Sequence, residues 1–522
     1  MVLQGPDLAA PADLRGMVAA GAAAHPDRLA LASARRRVTW SELDAEVGRW
    51  AGALASFGLS PGDRVASLLP NRLDLAVHHL ACLRAGLVAV PLNYRYVAPQ
   101  VDHALAVSGA SLLVAHVERA GDLARCRGIA DLPAGCAWYE EGEAVPDGGV
   151  RLRDRLADGA PPPAAGGPDD PAFVFFTSGS TGPAKGVTHS VATAGWMAAS
   201  AAAAFEITAE DTFLPASSMS HLGAFLWTMA SLSAGAAVVV TRTFDGDEVL
   251  PLIREHRPTL MAMIPAALTA LVRDHGVTAE DFSSLRLCRS GSDHVPAELE
   301  EEFQALTGFP IDEGYGMSEV GLATLNPPGG PIRPGSIGTA DAGFALSVRD
   351  ADGTEVPTGQ VGTIWMRTPS ATVGYWGDPE ATASLFDEDG WLDSGDLARA
   401  DEDGYLWFFG RAKQVIVHDG SNISPQEVED ALSAHPAVAA VGVVGIHDVV
   451  HGEDVRAYVA TKEGVPRPTS QDLVRFARER VGYRAPEEVV FLDALPLNPT
   501  GKLDRVGLRR LAEEHRNPHR PG

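Results

Sequence analysis

The most constraining feature of the sequence is an alternation of short apolar runs with a helical pattern near its start. Residues 64–69 form an apolar run, Leu73, Val77 and Leu80 then recur on one helical face, and residues 87–90 form a second apolar run. A strand, a helix and a strand of these lengths make a βαβ unit, which predicts a parallel sheet. A chain of 522 residues is also too long for one hydrophobic core, so we expect at least two domains.

The helix before this unit is predicted over residues 41–57. Leu43, Val47 and Trp50 recur at helical spacing, and Ser41 with Asp44 resembles a capping pair at its start. Residues 160–171 are rich in Pro and Gly, which is typical of a surface loop.

Beyond that loop, four apolar strands each run into a turn. The strands are predicted at residues 173–176, 260–264, 285–288 and 310–311, and the turns begin at Thr177, Pro265, Ser290 and Gly314. Ligands of open α/β sheets bind outside the carboxyl ends of the strands, so these four turns are expected to converge on one site.

A domain boundary is predicted near residues 410–411, which divides the chain into residues 1–410 and 411–522. The second part has a size that can fold independently. Ser424, Pro425 and Glu427 predict a helix start with an N-cap and a capping box. Strands at 441–444 and 455–460, a helix at 471–481 and a last strand at 489–492 predict a small α+β unit.

The net charge is −26, from 42 basic and 68 acidic residues. Such a surface repels nucleic acid and anionic membranes, and any phosphate site must supply its own positive charge. We find no signal peptide and no apolar stretch that could span a membrane, and Cys82, Cys126, Cys136 and Cys288 form no CxxC pair. We expect a cytoplasmic protein with reduced thiols and no nucleic-acid partner.

Residues 177–186 form a loop dense in glycine and hydroxyl groups directly after a buried strand. Neither a Walker A spacing nor a GxGxxG pattern is present. Backbone N–H groups, hydroxyls and a lysine at such a loop can surround phosphate oxygens. The predicted ligands are Thr177, Ser178, Gly179, Ser180, Thr181, Gly182 and Lys185.

This loop is similar to the signature of the adenylate-forming superfamily, which comprises acyl-CoA synthetases, adenylation domains of nonribosomal peptide synthetases and luciferases. Four further segments resemble that family's motifs in the same order, and the resemblance covers nearly the whole chain. They are residues 314–319, 391–396, 410–413 and 499–502.

The resemblance implies an α/β fold with a large N-terminal domain of βαβ-built sheets and a small mobile C-terminal lid. It implies that ATP and Mg²⁺ activate a small carboxylic acid as its acyl-adenylate with release of pyrophosphate. The acyl group then passes to a thiol, for which coenzyme A is expected. A carrier protein, an amine or another nucleophile is the alternative acceptor, and a non-catalytic nucleotide- or acyl-binding protein is a further alternative.

Matching residues carry the implied roles. Lys185 is a mobile counter-charge to the β- and γ-phosphates, Glu319 binds Mg²⁺, and Ser318 contacts the α-phosphate. Lys502 bridges the substrate carboxylate and the α-phosphate, which brings two anions together by cancelling charge. The remaining nucleotide contacts are Asp396 on the ribose, Arg411, and the backbone of Gly314, Tyr315 and Gly316.

The acyl pocket is predicted to contain His221, Phe225, Ser290, Gly291, Asp293 and Met317. The resemblance also implies a catalytic role for His221, which would help to gate the tunnel for the thiol. Two of these have plain alternatives, since a histidine among apolar residues often only packs, and Phe225 fits a hydrophobic core equally well. Asp293 stands where many relatives have small apolar residues. It is predicted either to bind a polar or amino group of the acid or to face solvent and cap the helix at Pro296.

Lys413 matches the family's hinge position, which makes it the predicted pivot of the lid. His418 and Asp419 depart from the family's pattern beside the thiol-transfer face, so they bear on the acceptor. His447 and His451 have the spacing of a zinc-binding helix, but the usual glutamate is missing and no third ligand is evident. We therefore predict no zinc site from this motif.

Overall fold

The computed structural model describes residues 2–140, 145–146, 149–156, 166–177, 183–291, 295–418, 421–448, 451–462, 464–498 and 502–514. It forms two compact units. The large unit comprises residues 3–346 and 366–392, and the C-terminal unit comprises residues 1–2, 347–365 and 393–522. The division at residues 410 and 411 stays a prediction.

The large unit contains three sheets. The eight-stranded sheet has the order Gly374–Tyr375, Gly186–Ser190, Pro171–Phe176, Val88–Pro91, Arg64–Leu68, Leu112–His116, Cys136–Tyr139 and Val150–Arg151. The seven-stranded sheet has the order Asp312–Glu313, Leu287–Ser290, Leu260–Met263, Thr212–Ala216, Ala237–Val239, Leu29–Ala32 and Arg37–Thr39. The three-stranded sheet contains Tyr315–Met317, Gly321–Leu325 and Thr339–Ala340.

Helices cover these sheets. Their bounds are Met17–Ala24, Trp40–Ala55, Leu73–Ala85, Ala98–Ser108, Ala120–Leu123, Val191–Ala204, Leu222–Ser233, Gly246–His256, Pro265–Asp274, Ala297–Thr307 and Pro379–Ala383. One core packs side chains of the helices Trp40–Ala55 and Leu222–Ser233 against strands of both large sheets. Because helices cover parallel strands on both faces, those strands are buried along almost their whole length.

The predicted βαβ unit is confirmed. Arg64–Leu68 and Val88–Pro91 pair in parallel, and the helix Leu73–Ala85 connects them. The predicted cap of the preceding helix is wrong. The chain enters this helix directly from the strand Arg37–Thr39, so Thr39 is the N-cap and exchanges hydrogen bonds with Glu42.

Three of the four strands predicted to end at the site are parallel neighbours in the seven-stranded sheet, but two of them lie two residues later than predicted, at residues 287–290 and 312–313. They are Leu260–Met263, Leu287–Ser290 and Asp312–Glu313. The fourth, Pro171–Phe176, lies in the eight-stranded sheet, where it pairs with Gly186–Ser190. The predicted loop at residues 177–186 therefore joins two antiparallel neighbours of a different sheet.

The C-terminal unit contains most residues of a five-stranded sheet and a second sheet of its own. The first has the order Val2–Gln4, Ala345–Arg349, Val361–Arg367, Leu392–Ala400 and Leu406–Arg411. In the second, Ser421–Ile423, Ile416–His418, Gly452–Thr461 and Val438–Asp448 follow one another, and Glu488–Phe491 pairs with Gly452–Thr461. Its helices are Pro425–Ser433, Ser470–Val481 and Arg505–Glu514.

The helix predicted at Ser424 starts where expected, with Pro425 as its first residue. The predicted capping box is wrong, because the Ser424 hydroxyl donates to the backbone carbonyl of Phe409 and Glu427 pairs with Arg484. Both side chains bond to partners that are distant in sequence, and neither caps the N-terminus of the helix.

Candidate active site

Two charged residues from separate predicted motifs lie on either side of one tyrosine in the large unit. Tyr375 pairs with Val187 across two antiparallel strands, which brings its ring beside Lys185. Lys185 Nζ is 4.8 Å from the centre of that ring and 3.9 Å from Asp378 Oδ2. The Tyr375 hydroxyl donates to Glu319 Oε1 at 2.9 Å. The structure thus brings the predicted phosphate lysine and the predicted metal ligand together.

The phenol of Tyr375 remains a neutral donor in this position. Burial raises its pKa, and the neighbouring Glu319 carboxylate raises it further. Glu319 is itself buried, with 7% of its surface exposed, and its backbone carbonyl accepts from Thr372 N at 2.6 Å. The Tyr375 hydroxyl and the backbone of Glu319 itself therefore both restrict the position of this carboxylate.

Ser318 is held by a buried histidine that the sequence patterns did not reveal. His189 Nε2 lies 2.8 Å from the Ser318 carbonyl oxygen, and its Nδ1 lies 3.2 Å from the Thr193 hydroxyl. Burial lowers the pKa of His189 to about 4, so the ring is neutral near pH 7. Because a carbonyl only accepts, Nε2 carries the ring proton and donates it to Ser318.

The turns after two neighbouring strands of the seven-stranded sheet approach each other closely. The Ser290 hydroxyl donates to the Met263 carbonyl at 2.8 Å, and a Cβ on Gly291 would lie 3.2 Å from the Gly314 carbonyl oxygen. At Gly314 itself a Cβ would lie 2.6 Å from the Thr324 carbonyl oxygen, a distance that excludes any side chain. The glycines of these motifs therefore allow neighbouring backbone segments to pack closely.

The next residues of the second motif form a strand against Gly321–Leu325. Tyr315 N donates to the Thr324 hydroxyl at 3.1 Å, and Met317 pairs with Gly321. A Cβ on Gly316 would lie 2.2 Å from the Gly321 carbonyl oxygen. Ser318 and Glu319 lie in the turn that joins these two antiparallel strands.

Arg289 is a second residue that the sequence analysis missed. Its guanidinium lies 4.9 Å from the centre of the Trp227 ring, and Nη2 donates to the Gly314 carbonyl at 3.2 Å. Burial lowers its pKa to about 10, while the carboxyls of Asp312 and Asp341 oppose that shift. An arginine within the apolar strand Leu287–Ser290 was the available signal.

The two predicted pocket residues on the helix Leu222–Ser233 have different surroundings. His221 is the N-cap residue of the helix, and its Nε2 lies 3.1 Å from Asn93 Nδ2. Phe225 is buried, with its ring centre 4.5 Å from that of Phe173 and 5.0 Å from that of Phe175. Phe225 thus belongs to the hydrophobic core, and its contribution to a pocket stays a prediction.

The other predicted nucleotide residues lie in the C-terminal unit. Asp396 and Arg411 face each other across two antiparallel strands, and Arg411 Nε lies 3.3 Å from Asp396 Oδ1. Lys413 lies in the short 3₁₀ helix Ala412–Gln414. Lys502 is exposed, and its backbone exchanges hydrogen bonds with Asn498.

Part of the predicted site lies outside the described residues. Thr177 is described, and its N–H donates to the Lys185 carbonyl at 3.2 Å. Outside the described part are Ser178, Gly179, Ser180, Thr181, Gly182, Asp293 and Asp419.

Comparison with known proteins agrees with this arrangement of fold and motifs. Residues 18–376 match the AMP-binding enzyme family, and residues 427–502 match the AMP-binding enzyme C-terminal domain. The chain belongs to the AMP-binding enzyme family. The predicted adenylate-forming fold, with a large N-terminal domain and a C-terminal domain, is confirmed.

Individual relatives span almost the whole chain. A feruloyl-CoA synthase from an Amycolatopsis species is 35% identical over 91% of this chain and 94% of its own. The fatty acid–[acyl-carrier-protein] ligase ScoC of Streptomyces coeruleorubidus is 34% identical over 91% of both chains. The crystal structure of ATP-bound MatB from Rhodopseudomonas palustris superimposes with a TM-score of 0.89 at 30% identity, covering 97% of this chain and 99% of that chain.

The prediction of an AMP-forming acid–thiol ligase is thereby confirmed. Such an enzyme activates a carboxylic acid through its acyl-adenylate, and it uses ATP and coenzyme A. None of the helices within the described ranges combines the length and the apolar composition that crossing a bilayer requires.

Proposed function

We propose that the chain is an ATP- and Mg²⁺-dependent aryl-CoA ligase whose acid is aromatic and carries an oxygen substituent, as hydroxycinnamates and hydroxybenzoates do. The observation that carries this choice of acid is Arg289. Two of the relatives described above differ in substrate, since one is named for feruloyl-CoA and the other for a fatty acid.

Arg289 favours the aromatic acid for an electrostatic reason. Its guanidinium lies against the face of Trp227 and beside the backbone of Gly291 and Gly314, two predicted site glycines. Within the described part of the chain, its buried Nε has no hydrogen-bond acceptor. An alkyl tail would leave this donor unpaired at a cost of about 1–3 kcal/mol, whereas a phenolic or methoxy oxygen can accept from it.

Glu319 suits the proposed metal. Mg²⁺ prefers carboxylate and phosphate oxygens, and the Tyr375 hydroxyl orients this carboxylate through Oε1. When bound, Mg²⁺ would reduce the negative charge of the phosphates. Lys185 supplies the second positive charge, and its weak contact with the partly exposed Asp378 can be exchanged for a phosphate.

In the first half-reaction, a carboxylate oxygen of the acid attacks the α-phosphorus of ATP and pyrophosphate leaves. Lys502 bridges the two anions, Asp396 accepts hydrogen bonds from the ribose hydroxyls, and Arg411 contacts the nucleotide. Alignment and neutralised charge are the main contributions that such a displacement requires of a protein.

In the second half-reaction, the thiol of coenzyme A attacks the acyl carbonyl carbon and AMP leaves with the bonding electron pair. The C-terminal unit acts as a mobile lid that turns about Lys413 between the two half-reactions. Lid motions of this kind often limit turnover.

Pyrophosphate release with ATP, Mg²⁺ and a panel of acids, each with and without coenzyme A, tests the proposal. We expect multiple turnovers on hydroxycinnamates or hydroxybenzoates only when coenzyme A is present. Preference for saturated fatty acids would overturn the acid class. Release that coenzyme A does not change would favour a carrier protein or an amine as acceptor, and no release with any acid would favour a non-catalytic binder.

The variant Arg289→Met tests the role of the guanidinium separately. We expect kcat/KM to fall at least about tenfold on the hydroxylated acid and much less on its unsubstituted analogue, because one hydrogen bond is lost. Arg286→Met, three residues earlier and paired with Asp211, is the matched control. An equal loss on both acids would refute the assignment.

A further inference from the structure

Metal-ligating side chains from three segments of the C-terminal unit converge, and one of them is His418, which departs from the family's pattern. His418 ends the strand Ile416–His418, Asp454 lies in the strand Gly452–Thr461, and Glu487 directly precedes the strand Glu488–Phe491. One ligand atom from each lies within 4.8 Å of the others. The pairing of these strands in one sheet creates the cluster.

The hydrogen bond of His418 to the backbone determines which of its nitrogens carries a proton. Nδ1 lies 2.7 Å from the Glu453 backbone carbonyl, so Nδ1 carries a proton and donates it. Nε2 lies 3.5 Å from Glu487 Oε1. Asp454 Oδ1 lies on the other side of the ring, 4.0 Å from Nδ1. An imidazole whose one nitrogen donates to a backbone carbonyl, while the other faces a carboxylate, has the arrangement of a metal-bound histidine.

The distances suit a small cation between these groups. Tetrahedral zinc holds its nitrogen and oxygen ligands at about 2.0–2.2 Å, which places ligand atoms about 3.4 Å from one another. The 3.5 Å between His418 Nε2 and Glu487 Oε1 matches that separation. Asp454 offers a third ligand atom within 4.8 Å of the other two groups.

The electrostatics of the cluster also favour a dication. Two carboxylates, those of Asp454 and Glu487, share the cluster with a single imidazole. A second group adds to this charge, since Asp448, His451 and Asp454 also bring ligand atoms within 4.8 Å of one another. Asp454 is shared by both groups, and the His451 ring stacks on that of His418 at 5.0 Å.

We propose that His418, Asp454 and Glu487 form a binding site for a divalent transition metal, zinc by preference. Imidazole nitrogen combined with carboxylate oxygen favours zinc over magnesium or calcium, which prefer oxygen ligands alone. The site is not the one that the spacing of His447 and His451 suggests. Those residues lie in a strand and the turn after it, and their partners come from other segments.

Metal titration of the full-length, untagged chain tests this site without ATP, acid or coenzyme A. After treatment with a chelator, Co²⁺ should bind at one equivalent with visible absorption of a low-symmetry site, and Zn²⁺ should displace it. We expect His418→Gln and Asp454→Asn each to weaken Zn²⁺ binding at least tenfold. Zn²⁺ should also raise the melting temperature of the wild-type chain and not that of either variant.

His447→Gln is the matched control, because His447 is exposed and lies on the same β-hairpin as Asp454. It should bind Zn²⁺ as the wild type does. Unchanged affinity in His418→Gln and Asp454→Asn, or no saturable binding by the wild type, would overturn the proposal. Circular dichroism of both variants separates loss of ligand from loss of fold.

Discussion

The phenolic hydroxyl of Tyr375 donates a hydrogen bond to Glu319 Oε1 across 2.9 Å. The ring of Tyr375 also contacts a cation, since Lys185 Nζ lies 4.8 Å from the ring centre. Tyr375 therefore contacts both Glu319, the proposed metal ligand, and Lys185, the proposed phosphate lysine. We infer that the tyrosine positions the carboxylate of Glu319.

Removing this hydroxyl should affect the requirement for Mg²⁺. In Tyr375→Phe the buried Glu319 loses a donor, which costs about 1–2 kcal/mol and leaves its carboxylate less well oriented. We expect the Mg²⁺ concentration for half-maximal pyrophosphate release to rise several-fold, with little change in the KM for the acid. Initial rates measured across a Mg²⁺ titration at saturating ATP check this.

Tyr94→Phe provides the control for that measurement. Tyr94 makes an equivalent hydrogen bond, from its hydroxyl to Glu118 Oε2 at 2.8 Å, in another part of the large unit. The Mg²⁺ dependence of this variant should equal that of the wild type. If both variants shift alike, Tyr375 has no special relation to the metal.

His189 should make stability depend on pH. Its pKa is about 4 in the folded chain and near 6.5 when unfolded, so above pH 6.5 both states hold a neutral ring. Between pH 6.5 and 4 the unfolded state binds the proton first. The stability that His189 contributes is therefore lost as the pH falls, by up to about 1.4 kcal/mol per pH unit.

Urea unfolding of the wild type and of His189→Gln between pH 7 and 4 measures this effect. Glutamine can still donate to the Ser318 carbonyl but does not titrate. We expect the free-energy difference between the two chains to shrink as the pH falls. His103→Gln, at a partly exposed histidine 2.8 Å from the Ala184 carbonyl, is the comparison, and an equal slope in all three chains would contradict the prediction.

Substitution of Asp396 should raise the KM for ATP and leave the KM for the acid nearly unchanged. The residue is buried, with 4% of its surface exposed, and Arg411 Nε lies 3.3 Å from its Oδ1. Loss of charge-assisted hydrogen bonds to the ribose in Asp396→Ala should raise the KM for ATP at least about tenfold. The acid's KM should stay within about threefold of the wild type.

Glu402→Gln is a suitable reference for this variant. Glu402 is exposed in the turn that joins Leu392–Ala400 to Leu406–Arg411, the two strands that carry Asp396 and Arg411. Kinetic constants like those of the wild type are expected for it. A similar rise in both KM values for Asp396→Ala would indicate general damage rather than a ribose contact.

Lys413 and Lys502 should separate the two half-reactions. Proline at position 413 restricts the backbone torsion about which the lid is proposed to turn, so Lys413→Pro should form acyl-adenylate at a near-normal rate and form thioester at least about tenfold more slowly. Lys502→Ala should show the reverse, with adenylation slowed about a hundredfold or more. Single-turnover assays started from ATP or from synthetic acyl-adenylate distinguish these cases, and equal losses in both half-reactions would refute the roles.

The sequence alone determined the family and the α/β class, and it identified the charged residues of the motifs as candidates. Short-range patterns suffice for these. Lys185 follows a strand in a glycine-rich loop, and Glu319 ends a motif whose glycines are required by close backbone contacts. The βαβ unit at residues 64–91 could also be predicted from local sequence, because its hydrophobic periodicity and the lengths of its elements are contained in one continuous segment.

Only the tertiary structure decided which side chains support those residues. Tyr375 reaches Glu319, His189 reaches Ser318 and Arg289 reaches Gly314 through pairings that no local pattern encodes. Even the cap of the helix Trp40–Ala55 depended on the strand before it, and the His418 cluster required three strands to meet. Hydrogen bonds and burial join residues that are far apart in sequence, and their energies depend on that assembled environment.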